Sequence, residues 1–331
     1  MTGYFRSRIS GTGSYLPEKV LTNHDLEKMV DTNHDWIVER TGIVRRHIAA
    51  DDEAASDLGF KAAQRALTAA GLTAKDLDGI IFCTVTGDQS MPSSACCLQA
   101  KLGCRSIMAF DLSAACSGFV YGLSVADHFI RLGGFKHILV VGSEVIHRFV
   151  NYEDRETCIL FGDAAGAWIV SQTAAEDKNV IMSSHLHSEG SLGDLFVLGA
   201  GGSRIPLSQE ILDKKGQFVK MKGREIYKNA VRTMTSCCHQ ALDANHVQAK
   251  DVDWLIPHQA NLRIMEAVAD HFDFPKEKVI VAVHETGNTS AASIPTAFQI
   301  GLETGKIRRG DLILLTAFGA GLTAGSVLMR Y

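Results

Sequence analysis

The 331-residue sequence lacks features that define several classes of protein. No apolar run approaches the roughly 20 residues that a membrane-spanning helix needs, and strand-like runs such as Ile138–Val141 are only four or five residues long. The N-terminal stretch MTGYFRSRIS contains no apolar signal-peptide core, so we expect a cytoplasmic protein. Positive charge is not in excess, because 33 Lys and Arg stand against 37 Asp and Glu, which argues against nucleic acid binding.

Proline and metal-ligand motifs are also scarce. Only 6 prolines occur, so a flexible proline-rich tether between domains is not expected. The 8 cysteines include no Cys-x-x-Cys spacing and the 13 histidines are scattered, which leaves little support for a zinc or dithiol redox site. What remains is an ordinary globular composition, 46% hydrophobic and 21% charged, in a chain long enough to bury a large core.

The chain contains an internal repeat. Residues 74–83 read AKDLDGIIFC and residues 249–258 read AKDVDWLIPH, an offset of 249 − 74 = 175. The apolar segments 137–141 and 311–315 match at an offset of 174, and each half ends with a Phe-Gly segment before a last strand. Short apolar strands alternate with helical patterns, which is typical of a largely parallel α/β sheet.

These matches predict an α/β fold of two pseudo-symmetric halves. We place the halves at residues 1–172 and 173–331. The stretch 172–222 is rich in glycine and is predicted to be the irregular part of the chain.

One cysteine stands out by its place in the pattern. Parallel α/β sheets bind ligands at the carboxyl ends of their strands, and Cys116 lies between a predicted strand at 107–112 and a helical pattern that contains Phe119 and Ile130. A helix N-terminus favours a thiolate, so Cys116 is the candidate nucleophile. The other cysteines fit the role of small buried apolar side chains.

Two polar groups occupy strand ends in the second half. His258 ends a predicted strand, opens a predicted helix and stands where Cys83 stands in the first copy. Asn288 follows a predicted strand at 278–283, and the offset of 174 maps the candidate nucleophile onto Ser290, two residues beyond it. Because pseudo-symmetry brings equivalent strand ends together, we expect the cysteine, the histidine and the asparagine to converge.

A glycine-rich segment follows the last predicted parallel strand. Phe318 to Gly325 resembles a dinucleotide-binding fingerprint, but too few residues follow for the helix and strand that the fingerprint requires. We interpret these glycines as bringing backbone N–H groups close to a reacting oxygen, as in an oxyanion hole.

Six segments of the sequence together carry a family resemblance. They are Gly11-Thr-Gly-Ser-Tyr-Leu-Pro17, Trp36-Ile-Val-Glu-Arg-Thr-Gly-Ile43, Ala114-Ala-Cys-Ser-Gly118, Phe161-Gly-Asp163, Pro257-His-Gln-Ala-Asn-Leu-Arg263 and Gly287-Asn-Thr-Ser-Ala-Ala-Ser293. The chain resembles β-ketoacyl-acyl-carrier-protein synthase III from about Tyr4 to Tyr331. The resemblance implies the thiolase fold, an α/β fold of two pseudo-symmetric βαβαβαββ halves in a five-layer αβαβα arrangement.

The resemblance also implies roles for individual residues. Cys116, His258 and Asn288 form the implied catalytic triad, and the backbone N–H groups of Cys116 and Ala320 form the implied oxyanion hole. The implied CoA-binding residues are Trp36, Arg40, Arg155, Gly223 and Asn261. The implied acyl pocket consists of Ile146, Phe161, Phe196, Val219 and, from the partner subunit, Met91.

The implied reaction is a decarboxylative Claisen condensation that initiates fatty acid synthesis. Cys116 takes the acyl group from a short acyl-CoA, with acetyl-CoA as the expected primer, and releases CoA. Malonyl-acyl carrier protein then loses CO₂ and its enolate attacks the acyl-enzyme, which gives a 3-oxoacyl carrier protein. We expect no metal and no redox cofactor, a homodimer, and no nucleic acid or membrane partner.

A basic segment indicates where the carrier protein docks. Residues 213–232 contain seven Lys and Arg against two acids, 7 − 2 = +5, in a chain of net charge −4. A segment of opposite sign to the whole chain is a candidate surface for an acidic partner. The predicted contacts are Arg224 and Lys228, and the resemblance adds Arg263.

Three alternatives stay open on the sequence alone. They are a related condensing enzyme or acyltransferase of secondary metabolism that uses a different acyl-CoA, a cysteine thioester hydrolase, and a catalytically inactive thiolase-fold binding protein. Met91 stands where the family often has Phe, so the sequence leaves the acyl chain length open. Thr286 and Ala320 also depart from the residues usual in the family.

Overall fold

The computed structural model describes residues 5–331. Residues 1–4 lie outside the described part. They include the start of the N-terminal stretch MTGYFRSRIS, from which a cytoplasmic protein was expected. The strands are β1 Arg6–Tyr15, β2 Lys19–Thr22, β3 Arg45–Ile48, β4 Gly79–Cys83, β5 Met108–Leu112, β6 His137–Glu144, β7 Ala164–Thr173, β8 Ile181–Ser188, β9 Phe196–Leu198, β10 Val219–Met221, β11 Trp254–Pro257, β12 Leu312–Gly319 and β13 Thr323–Arg330.

Helices occupy most of the intervals between the strands. The α-helices are α1 Asn23–Leu26, α2 His34–Thr41, α3 Ala55–Ala70, α4 Ser94–Leu102, α5 Gly118–Arg131, α6 Arg155–Cys158, α7 Gln209–Asp213, α8 Gly223–Ala244, α9 Leu262–His271, α10 Val283–Thr286 and α11 Ser293–Glu303. Short 3₁₀ turns lie at Ala74–Asp76, Ala115–Ser117, Ile146–Phe149, Gly190–Leu195, Ala249–Asp251, Lys276–Lys278 and Ser290–Ala292.

Two mixed sheets repeat one topology. The first has the order β1-β7-β6-β4-β5, and the second has the order β11-β12-β13-β8. In the first sheet β4 runs parallel to β5 and β6, and β7 and β1 complete it with antiparallel pairings. In the second, β11 runs parallel to β12, and β13 and β8 follow antiparallel. The strands β4 and β6 are buried almost throughout, as expected for parallel strands covered on both faces.

The elements of the two halves repeat at an offset of 175 throughout the matched region. The offset relates β4 to β11, β6 to β12, α5 to α11 and the 3₁₀ turn Ala115–Ser117 to the turn Ser290–Ala292. The prediction that Cys116 corresponds to Ser290 is therefore wrong by one residue. The counterpart of Cys116 is Ala291, and the counterpart of Ser290 is Ala115. Ser290 and Ala115 both have a positive φ, near +49° and +47° respectively.

The layers follow the five-layer arrangement that the resemblance implied. Helices α3 and α4 pack with the outer face of the first sheet, α5 and α11 fill the centre between the two sheets, and α8 and α9 cover the second sheet. Helix α5 lies at the centre, and its side chains Phe119, Leu123 and Ile130 are fully buried in the core. Fully burying a side chain of this size stabilises the fold by about 1.5–3 kcal/mol.

Two sequence predictions of local structure are wrong. The strand predicted at 278–283 is reduced to a bridge between Leu255 and Val279, because the buried Gln259 side chain bonds the backbone of Ile280, Ala282 and Val283. The stretch 172–222 is not irregular, since it contains β8, β9, α7 and β10.

The two-domain division at 172/173 remains a prediction, although β7 of the first sheet ends at Thr173 and β8 of the second begins at Ile181. None of the helices within residues 5–331 combines the length and the apolar character needed to cross a membrane.

Candidate active site

A cavity of about 830 Å³ opens beside the carboxyl ends of the parallel strands. It brings together most of the residues that the sequence singled out. Those on its wall are Cys116, His258, Asn288, Trp36, Arg40, Arg155, Gly223, Asn261, Phe196, Arg224, Lys228 and Arg263. Within the described residues, no group of three or more His, Cys, Asp or Glu side chains is arranged to hold a metal ion.

Cys116 lies in the 3₁₀ turn that leads from β5 into α5, as the strand-to-helix pattern predicted. Its exposed fraction is 5%. The turn packs against the end of β12, where a β-carbon at Gly319 would lie 2.6 Å from the Cys116 amide nitrogen and 3.0 Å from that of Ser117. Only glycine permits this approach of β12 to the backbone of the cysteine.

The environment of Cys116 does not favour a resting thiolate. Burial raises the pKa of the Cys116 thiol to about 12, the charge of Glu144 raises it further, and the hydroxyl of Ser290 opposes part of the rise. Desolvation penalises the charged form, so burial opposes the stabilisation of a thiolate that the helix N-terminus was expected to give.

His258 follows β11 and is 3% exposed. Its backbone N–H donates to Thr316 O at 2.8 Å, and its Nδ1 lies 2.6 Å from Ser293 Oγ. Burial lowers the pKa of His258 to about 3, so the imidazole is neutral at physiological pH. The helix expected to open at His258 begins at Leu262 instead, because Asn261 caps it.

Asn288 is also held from several sides. Its N–H donates to Leu160 O at 2.8 Å and its carbonyl accepts from Gly162 N at 3.1 Å. The side-chain Oδ1 accepts the N–H of Ser290 at 3.0 Å. Because Oδ1 is occupied in this way, the Nδ2 group is the part of the side chain available to donate to a ligand in the cavity.

An aromatic and cationic group forms one wall of the cavity. The guanidinium carbons of Arg40 and Arg155 lie 4.4 and 4.9 Å from the ring centre of Trp36. Asn261 ties this wall to α9, because its Nδ2 donates to Arg40 O at 2.9 Å and its Oδ1 accepts from Arg263 N. Gly223 opens α8, and a β-carbon there would meet nothing within 4 Å.

The residues predicted for the acyl pocket form one apolar cluster. Ile146, Phe161 and Val219 are buried in it, and the half-buried Phe196 joins it with its ring centre 6.2 Å from that of Phe161. Of these residues only Phe196 reaches the cavity wall. Met91 is 84% exposed on the surface of this chain.

Ala320 lies in the turn between β12 and β13, where its carbonyl accepts a hydrogen bond from Thr323 Oγ1 at 3.1 Å. The cavity wall includes its neighbours Phe318 and Gly319 but not Ala320 itself. The placement of its N–H in an oxyanion hole stays a prediction.

The predicted docking residues are exposed at the cavity mouth. Arg224, Lys228 and Arg263 form no ion pair within residues 5–331. Elsewhere in the basic segment, Lys214 pairs with Glu210 and Lys215 with Glu153. Three basic side chains without an ion pair among the described residues thus lie beside the cavity.

Sequence reasoning missed the side chains that hold His258 and Asn288. Ser293 contacts the imidazole of His258, Ser290 contacts both Asn288 and Glu144, and Gln259 fixes the segment that leads to Asn288. The available signal was the repeat, because Ser293 is the first residue of α11 and stands where Gly118 opens α5.

Comparison with known proteins identifies the family. Two family models match, one described as 3-oxoacyl-[acyl-carrier-protein (ACP)] synthase III over residues 110–190 and one as its C-terminal part over residues 242–331. A β-ketoacyl-[acyl-carrier-protein] synthase III of Xanthomonas campestris pv. campestris is 50% identical over 325 residues, 98% of each chain. The chain belongs to the β-ketoacyl-acyl-carrier-protein synthase III family. Members of this family are condensing acyltransferases.

Solved structures agree with this membership and with the thiolase fold. The 3-oxoacyl-[acyl-carrier-protein] synthase III of Aquifex aeolicus VF5 superposes with a TM-score of 0.90 at 46% identity, covering 98% of this chain and 100% of that one. The priming β-ketosynthase of the R1128 polyketide biosynthetic pathway gives a TM-score of 0.91 at 30% identity, with coverages of 99% and 97%.

Proposed function

We propose that the chain condenses a short acyl-CoA, with acetyl-CoA as the primer, with malonyl-acyl carrier protein. The products are a 3-oxoacyl carrier protein, CoA and CO₂. The observation that carries the proposal is the convergence of Cys116, His258 and Asn288 on one cavity whose mouth is lined by unpaired basic side chains. No metal or redox cofactor is proposed, since the reaction transfers no electrons and the loss of CO₂ drives the C–C bond formation.

The hydrogen bonds around His258 support its role as a donor rather than a base. Ser293 Oγ accepts the N–H of Gln259 at 3.4 Å, so its own proton is available for Nδ1 of the imidazole. That arrangement leaves the proton of the neutral ring on Nε2. We propose that His258 Nε2 and Asn288 Nδ2 hold the thioester oxygen of the malonyl group while its carboxylate leaves as CO₂. Donors of this kind stabilise an enolate as they do an oxyanion.

Trp36 and the two arginines support the proposed recognition of CoA. An indole presents a flat apolar face to a base, and guanidinium groups both stack on rings and pair with phosphates. The guanidinium groups of Arg40 and Arg155 lie over the indole, so groups able to stack on a base and to pair with phosphates stand together on one wall of the cavity.

The chain surface supports a homodimer in which subunits complete each other's acyl pocket. We propose that the exposed Met91 enters the pocket of a partner subunit, as the resemblance implies. Within the described residues β5 pairs with β4 alone and leaves its other edge without a strand. An edge strand of this kind is a site for pairing with another chain. The reaction is proposed to take place in the cytoplasm.

The test follows acylation of Cys116 by mass spectrometry. The chain is incubated with acyl-CoAs of increasing length, and malonyl-acyl carrier protein is then added. The proposal expects an acyl adduct on the Cys116 peptide, no adduct in Cys116→Ser, and conversion of the adduct to 3-oxoacyl carrier protein. Free acid released as fast as the thioester is consumed, without any need for the malonyl carrier, would instead identify a hydrolase.

A second candidate is priming of a secondary-metabolite pathway. The similarity to the R1128 priming β-ketosynthase favours it, because that enzyme has the same fold at 30% identity. The acyl-CoA series separates the two candidates. Efficient acylation by acetyl-CoA supports fatty acid initiation, whereas acylation confined to other acyl-CoAs supports the second candidate.

A further inference from the structure

A buried arginine lies beside the segment that carries Asn288. Arg46, on β3, is 0% exposed, whereas every other lysine and arginine within residues 5–331 is at least partly exposed. Arg46 also forms no ion pair within the described residues. Removing a charged group from water costs free energy, and an apolar side chain of similar size avoids that cost. Stability alone therefore does not explain an arginine at this position.

The guanidinium group of Arg46 joins two separate segments of the chain. Its Nη1 donates to Leu21 O at 3.2 Å and to Asn23 Oδ1 at 2.9 Å, where β2 meets α1. Its Nη2 donates to Ile159 O at 2.6 Å, which lies 113 positions further along the chain and directly after α6. A rigid fork of donors is suited to bonding both segments at once, which the single nitrogen of a lysine is not.

The segment bonded by Nη2 continues into the residues that hold Asn288. Leu160 O accepts the backbone N–H of Asn288 at 2.8 Å, and the N–H of Gly162 donates to Asn288 O at 3.1 Å. Phe161, between them, forms an isolated parallel bridge with Asn288. Both backbone groups of Asn288 are thus held by residues that lie one and three positions after the carbonyl bonded by Arg46.

The aliphatic stem of Arg46 packs against both sides of this bridge. A β-carbon at Gly162 would lie 2.9 Å from Arg46 Cβ, and one at Gly287 would lie 3.2 Å from the same atom. Gly287 directly precedes Asn288 and has a φ of +63°, so the close contact and the backbone conformation both favour glycine there. Arg46 therefore contacts the backbone of both segments that meet at Asn288.

Arg46 itself does not form part of the cavity wall, whereas Asn288 does. Any effect of the arginine on a bound substrate therefore has to pass through the residues that it holds. The side-chain Oδ1 of Asn288 is bonded to Ser290 N at 3.0 Å, so a shift of the Asn288 backbone would also move its Nδ2 group. A displacement of about 1 Å at a reacting group can cost about 10² in rate.

We propose that Arg46 is a positioning residue, which holds the backbone of Asn288 so that the side-chain Nδ2 points at the substrate. The substrate in question, malonyl-acyl carrier protein, rests on the function proposed above. The positioning itself depends only on the contacts of Arg46 with Ile159, Gly162 and Gly287, so it can be tested without any substrate.

Hydrogen exchange measured by mass spectrometry provides the test that needs no substrate. In Arg46→Met the backbone amides of Gly162 and Asn288, followed on peptides covering 159–163 and 286–290, should exchange faster than in the wild type by about tenfold or more. Amides in β12 and β13 should keep the exchange rates of the wild type. Unchanged exchange at Asn288, or faster exchange throughout the chain, would overturn the proposal.

Single-turnover assays of the two half-reactions provide the functional test. Arg46→Met should keep the amplitude of the acyl-enzyme burst on Cys116 and lose condensation with malonyl-acyl carrier protein by about 10². The loss should fall on kcat rather than on KM, because Arg46 does not touch the substrate. Equal loss of both half-reactions would overturn the proposal. A wild type that forms no 3-oxoacyl carrier protein would instead refute the proposed function, and hydrogen exchange would still decide the role of Arg46.

Arg46→Lys separates the geometry of the fork from the charge. It keeps the positive charge and the aliphatic stem but is unable to bond both segments, so fast exchange and slow condensation should persist. Behaviour like that of the wild type in Arg46→Lys would show that charge alone is needed and would overturn the positioning role. This variant also carries the test if Arg46→Met lacks a cooperative thermal transition.

Arg309→Met is the matched control. Arg309 lies just before β12, and it too donates to two backbone carbonyls, Ile9 O at 2.6 Å and Ser10 O at 3.3 Å. Its loss should lower the melting temperature and leave both the exchange at Asn288 and the condensation rate unchanged. The same changes in Arg309→Met as in Arg46→Met would overturn the proposal, because they would follow from any lost arginine contact.

Discussion

The two halves of the molecule place different side chains on the same backbone positions. At the offset of 175 the pairs around the cavity, first half before second, are Cys83 with His258, Cys116 with Ala291, Gly118 with Ser293 and Glu144 with Gly319. The first half thus carries the proposed nucleophile and a buried carboxylic acid side chain, and the second carries the proposed neutral donors. One backbone framework therefore supports two kinds of chemistry, because the strand ends fix positions and leave the side chains free to differ.

The difference between Glu144 and Gly319 shows why the halves are not interchangeable. Glu144 at the end of β6 reaches the hydroxyl of Ser290 in the turn before α11. At the equivalent end of β12, Gly319 lies against the amide of Cys116 in the turn before α5, with no room for a β-carbon. One strand end reaches its turn through a side chain and the other through its backbone.

The largest expected effects come from substitutions of Cys116, His258 and Asn288. These variants should show that each half of the molecule serves a different step of the reaction. Cys116→Ser should abolish acyl transfer, whereas His258→Ala and Asn288→Ala should keep the acyl-enzyme burst. Each of the latter should lose condensation by on the order of 10²–10³, as for other oxyanion donors. Single-turnover assays with acyl-CoA alone, and then with malonyl carrier protein, measure the two steps. Equal loss of the acyl-enzyme burst in all three variants would contradict this division between the halves.

Gly319→Ala should break the close approach at the second half's strand end. The added methyl would press on the amide nitrogens of Cys116 and Ser117, and a displacement of about 1 Å at a reacting group can cost about 10² in rate. The measurement is kcat beside the melting temperature. Gly134→Ala is the matched control, because a β-carbon there meets nothing within 4 Å. Full activity in Gly319→Ala would show that the approach has no catalytic consequence.

The lowered pKa of His258 predicts that the folded protein loses stability in acid. Cys83, at the equivalent strand end of the first half, provides the control. The pKa of His258 is lowered from 6.5 to about 3 in the folded chain, so the unfolded chain binds a proton that the folded chain does not. This contribution to stability is fully present above pH 6.5 and is lost as the pH falls from 6.5 towards 3. The slope is at most about 1.4 kcal/mol per pH unit.

Urea unfolding at pH 6.5 and at lower pH within this window measures the slope. His258→Gln should be less sensitive to acid than the wild type. Cys83→Ala is the control, because the raised pKa of Cys83 keeps its thiol neutral in acid, so this variant should lose stability by an amount independent of pH. The same acid sensitivity in His258→Gln and the wild type would refute the assignment.

The smallest effect concerns docking at the cavity mouth. Arg224→Glu combined with Arg263→Glu should slow the malonyl carrier protein half-reaction by about tenfold at low salt and flatten its salt dependence. Acyl transfer from CoA should be largely spared. Lys214→Glu is the matched control, because Lys214 lies in the same basic segment but is already paired with Glu210. If both half-reactions fall together, or neither changes, this surface does not bind the carrier protein.

The sequence by itself determined the repeat, the α/β alternation and the three strand-end groups. These follow from local signals, since the apolar strands of a parallel sheet and the turns after them can be recognised from the sequence. Cys116 and His258 could be placed at strand ends because each follows a recognisable apolar run, whereas the strand predicted before Asn288 is only a bridge. The family resemblance then added the residues proposed to bind CoA and to line the acyl pocket, which no local pattern distinguishes from ordinary surface and core positions.

Only the tertiary structure decided how those groups behave. The pKa of the Cys116 thiol depends on burial, which acts in the opposite direction to the helix N-terminus that the sequence shows. The loss of the strand at 278–283 depends on Gln259, a side chain about 20 residues away along the chain that takes the backbone hydrogen bonds of that segment. The link from Glu144 to Ser290 spans 146 positions. Desolvation and contacts of this range arise from packing, and no local pattern of residues records them.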